Sequence, residues 1–579
     1  MRRILLAAIA ALALVAAGCG GGDNSSSSSS GSGPTTPTKG KSGGRVTVLL
    51  STDVDYLDPG HTYYTIGYFV TYPTQRPLYS FKPGQNDPVP DLAEGPPQIS
   101  DDAKTVTVKI RKGVKFSPPV NRAVTSKDVK YAIERAFTEN VAGQYTTYFT
   151  DIAGAPTKPG SFKTISGLQT PDDNTLVIKL SKPSGVGVAA ALVMPITVPV
   201  PQEYAKKYDA KNPSTYNTHV VFTGPYMVKN NSSGTLTGYK PGRSIQLVRN
   251  PNWDKNTDYK PAYFDSVLIR TNASDAAVSA RQTLSGSHLM TGENPPAAVL
   301  KSAVTKYKGQ FVQLPGGGFR WFPLNTTVKP FDNLNVRKAV IAAFDRNAVR
   351  LSRGGKFVGD IPTHFIPPGI PGFEEAGGQE GFGFDFLKNP SGDMNVAAGY
   401  MKKGGFPSGK YTGGKTFTLV TANADPGKAQ AEVAQAQFAK LGFKVKVQTV
   451  PQDEVYTGYC QKPAKKLFSC GSAGWFKDFN DPQSMLEPTF KGSAINLNGG
   501  NNNLPQLDDP KIDAAMTKAA TLKGDERLKA WADIDKMITA QAPAVPFLWD
   551  KTTVLQSKDV NGVGNAYYDD WDLAFSSLK

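Results

Sequence analysis

The sequence predicts a mixed α/β protein of two or three domains, and three observations carry that prediction. About 535 residues follow an N-terminal leader and tether, more than one hydrophobic core normally serves. Strictly alternating segments occur: in 104–110, Val106, Val108 and Ile110 take one face while Thr105, Thr107 and Lys109 take the other. Segments with helical spacing are interleaved with them: Val336, Ala339, Val340, Ala343 and Phe344 fall at i, i+3, i+4, i+7 and i+8. Composition is that of a globular chain, with 39% hydrophobic and 20% charged residues.

The N-terminus comes first. Arg2 and Arg3 precede an apolar stretch, 4–17, which closes on the small residues Ala16-Ala17-Gly18 before Cys19. A basic start, a short apolar core and small residues form a secretory signal. The core is shorter than the about 20 residues a membrane span needs. A cysteine directly after the small residues resembles a bacterial lipobox, in which the signal (1–18) is removed and the acylated Cys19 anchors the chain. The alternative is an ordinary signal peptide with an incidental cysteine. Residues 20–43 include six consecutive serines (25–30) and a Pro/Thr patch (34–38), with almost no apolar side chains. Such a segment cannot bury enough surface to fold. At about 24 residues it would span roughly 25–30 Å, the reach of a tether above a membrane.

The body begins as a strand over 45–50, and 104–110 is a second. Ser126 is placed to cap a helix running to Phe137. Asp332 and Asn333 precede the helix that carries Val336 and Phe344. Ala434, Phe438 and Leu441 mark another helical face, ended by Gly442, and 444–450 follows as an alternating strand. Helices over 511–520 and 526–538 carry Trp531 on an apolar stripe. There is no internal repeat and no second membrane-spanning stretch.

Charge and cysteine usage exclude several functions. The formal net charge is +16, but basic residues are dispersed among apolar and acidic ones, so they read as solvated faces and no nucleic acid is expected. The chain has 3 cysteines; with Cys19 acylated, Cys460 and Cys470 remain, either as a disulfide closing a small loop or as two free buried thiols. The 4 histidines are scattered without ligand-like spacing, so no metal and no cofactor is expected. Residues 409–416, GKYTGGKT, fit a phosphate-loop pattern, but a helix-like stretch (394–403) precedes them and a strand (417–421) follows, the reverse of what that chemistry needs. They read as a Gly-rich surface turn. Residues 40–44, GKSGG, match a nucleophile-elbow string inside the tether, where the strained strand-to-helix turn is missing. No nucleophile–base constellation points to an enzyme.

The segment 473–482, AGWFKDFNDP, carries the binding argument. A carboxylate can pair with a ligand's α-ammonium while the indole beside it covers the apolar part. The bland reading is a packed Trp and a turn at Asn480-Asp481-Pro482.

This segment resembles the pocket motif of the family 5 solute-binding proteins of ABC importers, the oligopeptide- and dipeptide-binding group. Other stretches resemble the same family in the same order: Tyr56-Leu57-Asp58-Pro59; Pro90-Asp91-Leu92-Ala93; VTVKIRKGVKF at 106–116; Val124-Thr125-Ser126-Lys127-Asp128-Val129; Thr223-Gly224-Pro225-Tyr226; Arg249-Asn250-Pro251; and Leu324-Asn325-Thr326 through Pro330-Phe331 and Val336-Arg337-Lys338-Ala339 to Phe344-Asp345-Arg346. The resemblance implies an α/β, two-lobed periplasmic-binding-protein-like fold (class II, cluster C type), with an additional inserted domain and a hinge between lobes. Lobe one would comprise 44–80, 221–320 and 548–579, the inserted domain 81–220, and lobe two 321–547. It implies that Asp478 pairs with a peptide α-ammonium, that Trp475 walls the pocket, that Gly474 offers backbone groups, and that Tyr63, Tyr64 and Thr65 form a strand along the bound peptide. Ser472 stands where some relatives carry a basic residue, and Gly286-Ser287-His288-Leu289-Met290 departs from the family's G-E-x-D. The implied partners are a peptide ligand, an ABC permease with its ATPase subunits, and a membrane reached through the lipid anchor, with the protein itself a monomer. Rival readings are an oligosaccharide, opine or metal-complex ligand in the same transport role, an exported enzyme, and a purely structural surface lipoprotein.

Overall fold

Val46 and Val48 are fully buried because the strand that carries them, Arg45–Leu49, lies inside the first sheet. It runs parallel to Ser266–Arg270 on one side and to Leu289–Thr291 on the other. Ser244–Arg249 and Tyr226–Val228 extend the sheet antiparallel. The computed structural model describes residues 39–579, apart from 86, 158–159, 161–163, 472 and 498–499. The leader, Cys19 and most of the tether therefore lie outside the described residues. The expected tether ends earlier than 43: Lys41 bridges to Leu578, and the Gly43 N–H donates to the Tyr263 carbonyl at 2.8 Å.

Between the strands of this sheet the chain makes a separate four-stranded antiparallel sheet, ordered Gln98–Ile99, Thr105–Lys109, Thr175–Lys179, Leu168–Asp172. Val106 and Val108 face its core as the alternation requires. Helix Ser126–Ala136 packs on it. Its cap is Thr125 rather than Ser126. The Thr125 N–H and hydroxyl both donate to Asp128, while the Ser126 hydroxyl donates to the Asp172 carbonyl at 2.6 Å. Thr125 is the residue still in extended backbone, so its groups meet those of the first turn.

The second lobe holds two sheets. Gly318–Pro323 lies between Ala544–Asp550 and the edge strand Ala473–Phe476. Thr416–Ala422 lies between Lys444–Val450 and Ser469–Cys470, all parallel. Helix Leu334–Ala343 starts at Asn333, whose side chain accepts from the Asn335 N–H at 2.9 Å, and helix Gly427–Lys440 ends before Gly442 at φ +85°. Helices Pro510–Ala519 and Gly524–Ala540 bury Trp531. Residues 409–415 are a loop that follows helix Met394–Lys403 and precedes strand Thr416–Ala422. Cys460 and Cys470 are disulfide-bonded, with Cα atoms 6.1 Å apart.

Two chain segments join the lobes side by side. Phe311–Leu314 pairs with Thr552–Leu555, and a few residues on Gly318–Pro323 pairs with Ala544–Asp550. The crossings are therefore at 315–317 and at 551, not at the expected 320/321 and 547/548, because strands Gly318–Pro323 and Ala544–Asp550 each lie whole in the second-lobe sheet. Gly316 and Gly317 take φ of +63° and +65°, and a Cβ on Gly317 would collide with the Lys477 ammonium.

The shared motif residues hold this frame. Asp58 accepts from both Nη atoms of Arg135 at 2.7 and 2.8 Å, and Arg135 also reaches Asp209 at 2.5 Å. This ties the first segment to the helix of the inserted unit. Asp91 accepts from Arg76 at 2.6 Å and from Lys260 at 2.5 Å. Buried Arg337 donates to the carbonyls of Phe331 and Gln541 at 2.8 Å.

Candidate functional site

The edge strand Ala473–Phe476 sorts its side chains by alternation. Trp475 sits opposite Phe319 and enters the second-lobe core, while Gly474 sits opposite Arg320 on the other face. The Trp475 indole N–H donates to the Ser484 carbonyl at 2.8 Å, so its polar edge is committed inside the lobe. The Gly474 N–H points to the strand's outer edge and donates to the Tyr456 hydroxyl at 3.2 Å. Asp481 ends the loop as the N-cap of helix Pro482–Phe490 and pairs with Arg527 at 2.9 Å, so the second acid of the segment is structural.

Asp478 is different. It is 7% exposed, and no cation pairs with it among the described residues. The Tyr148 hydroxyl donates to its Oδ2, and the Tyr567 hydroxyl donates to its backbone carbonyl at 2.7 Å. Burial pushes its carboxyl up to about 7, with the Tyr148 hydrogen bond opposing.

Tyrosines surround that carboxyl. Tyr145 donates to the Tyr68 hydroxyl at 2.7 Å and its ring lies 5.0 Å from that of Tyr63. Tyr68 stacks on Tyr567 at 6.1 Å. The phenols of Tyr63, Tyr68, Tyr145 and Tyr148 are all held well above their ordinary value, first by burial, with the Asp478 charge adding to it. These side chains come from Tyr63 and the helix Thr65–Thr74 that follows it, from the turn Gln144–Phe149 of the inserted unit and from the C-terminal return, so the site lies where those regions meet the second lobe.

The segment expected to line the ligand as a strand does so only in part. Asp55 gathers the N–H groups of Tyr63 and Tyr64, at 2.6 and 3.2 Å, together with the Thr62 hydroxyl at 2.7 Å. That turns the chain into a helix beginning at Thr65. Tyr64 keeps extended backbone and is 50% exposed; Tyr63 is half-buried against both lobes. Ser472 lies outside the described residues. Tyr145, Tyr148 and Tyr567 escaped the sequence reading because their only signal is long-range: 330 residues separate Tyr148 from Asp478. Among the described residues no group of His, Cys, Asp and Glu could hold a metal ion, and no helix is long and apolar enough to cross a membrane.

Comparison with known proteins agrees with this architecture. "Heme-binding protein A" of Haemophilus influenzae is 27% identical over 481 residues, which cover 81% of this chain and 80% of the relative. "Oligopeptide-binding protein OppA" of Bacillus subtilis is 26% identical over 476 residues, 80% of each chain. Among solved structures, "Clavulanic acid biosynthesis oligopeptide binding protein 2" superposes with a TM-score of 0.81 at 25% identity, covering 95% of this chain and 99% of that one. Haemophilus influenzae OppA in complex with RPPGFSPFR superposes at 0.71 with 19% identity, covering 94% and 100%. The fold is thus the two-lobed periplasmic-binding-protein type. The family described as "Bacterial extracellular solute-binding proteins, family 5 Middle" matches residues 87–496, more than half of the chain, and the protein belongs to that family of bacterial extracellular solute-binding proteins.

Proposed function

We propose that this protein is the membrane-anchored, extracytoplasmic substrate-binding component of an ABC importer, and that it captures peptides between its lobes and hands them to the permease. It is not an enzyme in this reading. The observation that carries it is Asp478: a carboxylate at the meeting of the lobes, buried, lined by phenols and paired with no cation among the described residues. A peptide's α-ammonium supplies that charge, and phenols around it tolerate many side chains. Relatives described as oligopeptide- and dipeptide-binding proteins support the ligand class. The domain division proposed with it places lobe one, the inserted domain and lobe two on either side of the crossings at 315–317 and 551.

The test is a four-way titration calorimetry cycle: a free peptide and its N-acetylated form against wild type and Asp478→Ala. Loss of the buried charge-assisted pair is expected to weaken the free peptide by about 2–5 kcal/mol, roughly 30- to 1000-fold. Acetylation should weaken wild type similarly and the variant little further. Fully additive losses, or no effect of acetylation, would point instead to a ligand without an α-ammonium, an oligosaccharide first. The anchor is tested separately: Cys19→Ser should release the protein from the membrane fraction, and unchanged partitioning would refute the lipid anchor.

A further inference from the structure

The lysines of the second lobe are dispersed in the sequence and gathered by the fold. Between Lys402 and Lys466 the chain carries eleven lysines and four acidic residues, a surplus of seven where the whole chain has sixteen. Strand Thr416–Ala422, helix Gly427–Lys440 and strand Lys444–Val450 form one unit, with the two strands parallel. The helix runs back against the strands, so its last residue, Lys440, returns to the end of the sheet where both strands begin. Lys415 precedes the first strand there, and Lys444 opens the second opposite Thr416. Val445 and Val447 pack on the core, which leaves Lys444 and Lys446 exposed on the other face.

The loop before the sheet is held to the same end. The Tyr411 N–H donates to the Leu441 carbonyl at 2.8 Å, and its ring stacks on Phe443 at 4.8 Å. Phe406 lies 5.5 Å from the Tyr411 ring, which brings the end of helix Met394–Lys403, with Lys402 and Lys403, toward Lys410. All seven lysines are exposed. Among the described residues none of them pairs with a carboxylate: Lys440 donates to the Gln437 side chain at 2.7 Å, and Lys403 and Lys415 lie over the Tyr400 and Phe417 rings. The acids of this stretch are set apart. Asp425 and residues 453–454 follow the far ends of the strands, about 20 Å away. Glu432 stands two turns back along the helix, about 12 Å from Lys440. On neighbouring elements, Asp332 stands next to Asn333, whose side chain donates to the Gly404 carbonyl at 3.3 Å, and Asp385 accepts from the Tyr400 hydroxyl at 2.7 Å. Those two charges leave the face strongly positive.

We propose that this end of the second lobe is a docking face for anionic phospholipid headgroups, the surface of the membrane that the chain is anchored to. The choice of occupant rests on the anchored reading above: a tether of roughly 25–30 Å keeps a membrane within reach. A protein partner would need an apolar centre in the contact. Met394, the exposed large apolar side chain of this stretch, stands at the opposite end of its helix from Lys403. A headgroup layer needs charge alone, and each lysine brought to an anionic surface strengthens binding about fivefold. The described chain enters lobe one through Arg45–Leu49, whereas the basic face belongs to lobe two. Anchor and face together therefore hold the body at two points and set how the cleft sits over the bilayer.

Vesicle cosedimentation of the Cys19→Ser protein, which carries no lipid, tests the face. The probes are vesicles of phosphatidylcholine and of phosphatidylcholine with about 30% phosphatidylglycerol. Wild-type sequence at these lysines is expected to bind the anionic vesicles at least about tenfold better than the neutral ones at low salt, and to release them at about 0.5 M salt. K410E, K415E, K444E and K446E combined should weaken this at least about 30-fold. The same change of net charge on helices Pro510–Ala519 and Gly524–Ala540, K511E, K518E, K529E and K536E combined, should weaken it less than about threefold. The milder K410Q and K444Q pair, expected to cost at least about fivefold, guards against misfolding of the reversal variant. Equal losses in the two reversal sets would show net charge acting without this face and overturn it. So would equal binding to both vesicles. Binding to neither vesicle, with peptide uptake by cells impaired in the first set, overturns the membrane as occupant and assigns the face to an acidic protein. The anchor is read separately, by partitioning of Cys19→Ser in cells. If that shows no lipid anchor while anionic vesicles still bind, the anchored reading falls and the face stands; if the anchor holds and the vesicles fail, the face falls alone.

Discussion

Asp58 and Asp478 are both buried carboxylates, and they are held in opposite ways. Asp58 meets both Nη atoms of Arg135, which Asp209 also grips, and the cluster is closed. Asp478 meets one phenol, Tyr148, and no cation among the described residues. Removing a charge from water costs several kcal/mol, which a pair can offset and a lone group cannot. The difference teaches what each is for. A closed cluster fixes one unit of the chain to another. A carboxylate left without its countercharge keeps strong affinity for whatever cation arrives, at a standing cost to stability. The largest break in this comparison is therefore Asp58→Ala, which strands Arg135 with only half of its partners. It should destabilise the protein by about 3–5 kcal/mol in chemical denaturation. A loss below about 1 kcal/mol would mean the cluster is not what holds the inserted unit in place.

Asp478→Asn should move stability the other way. Its carboxyl is raised from the ordinary 3.8 to about 7 by burial. Between about pH 4 and 7 the folded protein keeps a proton that the unfolded chain has released, so stability falls as pH rises through this window. The penalty is absent below it and complete above it. The Asn variant lacks this slope, and its melting temperature should gain on wild type from pH 5 to pH 8. A parallel pair of curves would show that Asp478 is not an unpaired buried acid. Peptide affinity in wild type should rise over the same window, because the ammonium needs the ionised form.

What the sequence disclosed divides along the same line. Asp58, Asp91, Asp128, Arg337 and Asp345 lie in short motifs whose partners are turns, helix starts and neighbouring strands, so their residue types survive as recognisable strings. The strands at 45–49 and 105–109 and the helix carrying Val336 were legible because alternation and helical spacing are local signals. Asp478 was legible by the resemblance of its segment. Its phenolic lining, Tyr63 apart, was not: Tyr145, Tyr148 and Tyr567 are brought to it only by the closing of distant regions. The helix start at Thr65 was missed because its cause, the Asp55 carboxylate, lies ten residues upstream in a loop.

Trp475 and Asp478 stand three residues apart and give a finer contrast. The Trp475 N–H is bonded within its own lobe, to the Ser484 carbonyl at 2.8 Å. Trp475→Phe leaves that carbonyl without its donor and should cost stability about 1–3 kcal/mol. Peptide affinity should change by less than about threefold, since the polar edge of the ring is not offered to the cleft. A large affinity loss with unchanged stability would return Trp475 to the role of a direct pocket wall.

The smallest effect belongs to Tyr148→Phe, and its pH dependence is what makes it informative. The phenol donates to Asp478 Oδ2 and so favours the ionised carboxylate, while Oδ1 carries no hydrogen bond from the described residues. An arriving ammonium can take Oδ1 without displacing the phenol. Losing the hydroxyl should then act through the charge state of Asp478, whose carboxyl rises further, rather than through a lost ligand contact. Peptide binding should weaken by about 3- to 10-fold at pH 6.5, as expected from about 1 kcal/mol of lost hydrogen bonding, and by less than about twofold at pH 8.5, where the carboxyl is ionised in either protein. Calorimetry at the two pH values checks this. An equal loss at both would make Tyr148 a ligand contact. A gain at both would mean that phenol and ammonium compete for the same oxygen, and that the hydroxyl latches the ligand-free lobes together instead of tuning the acid they share.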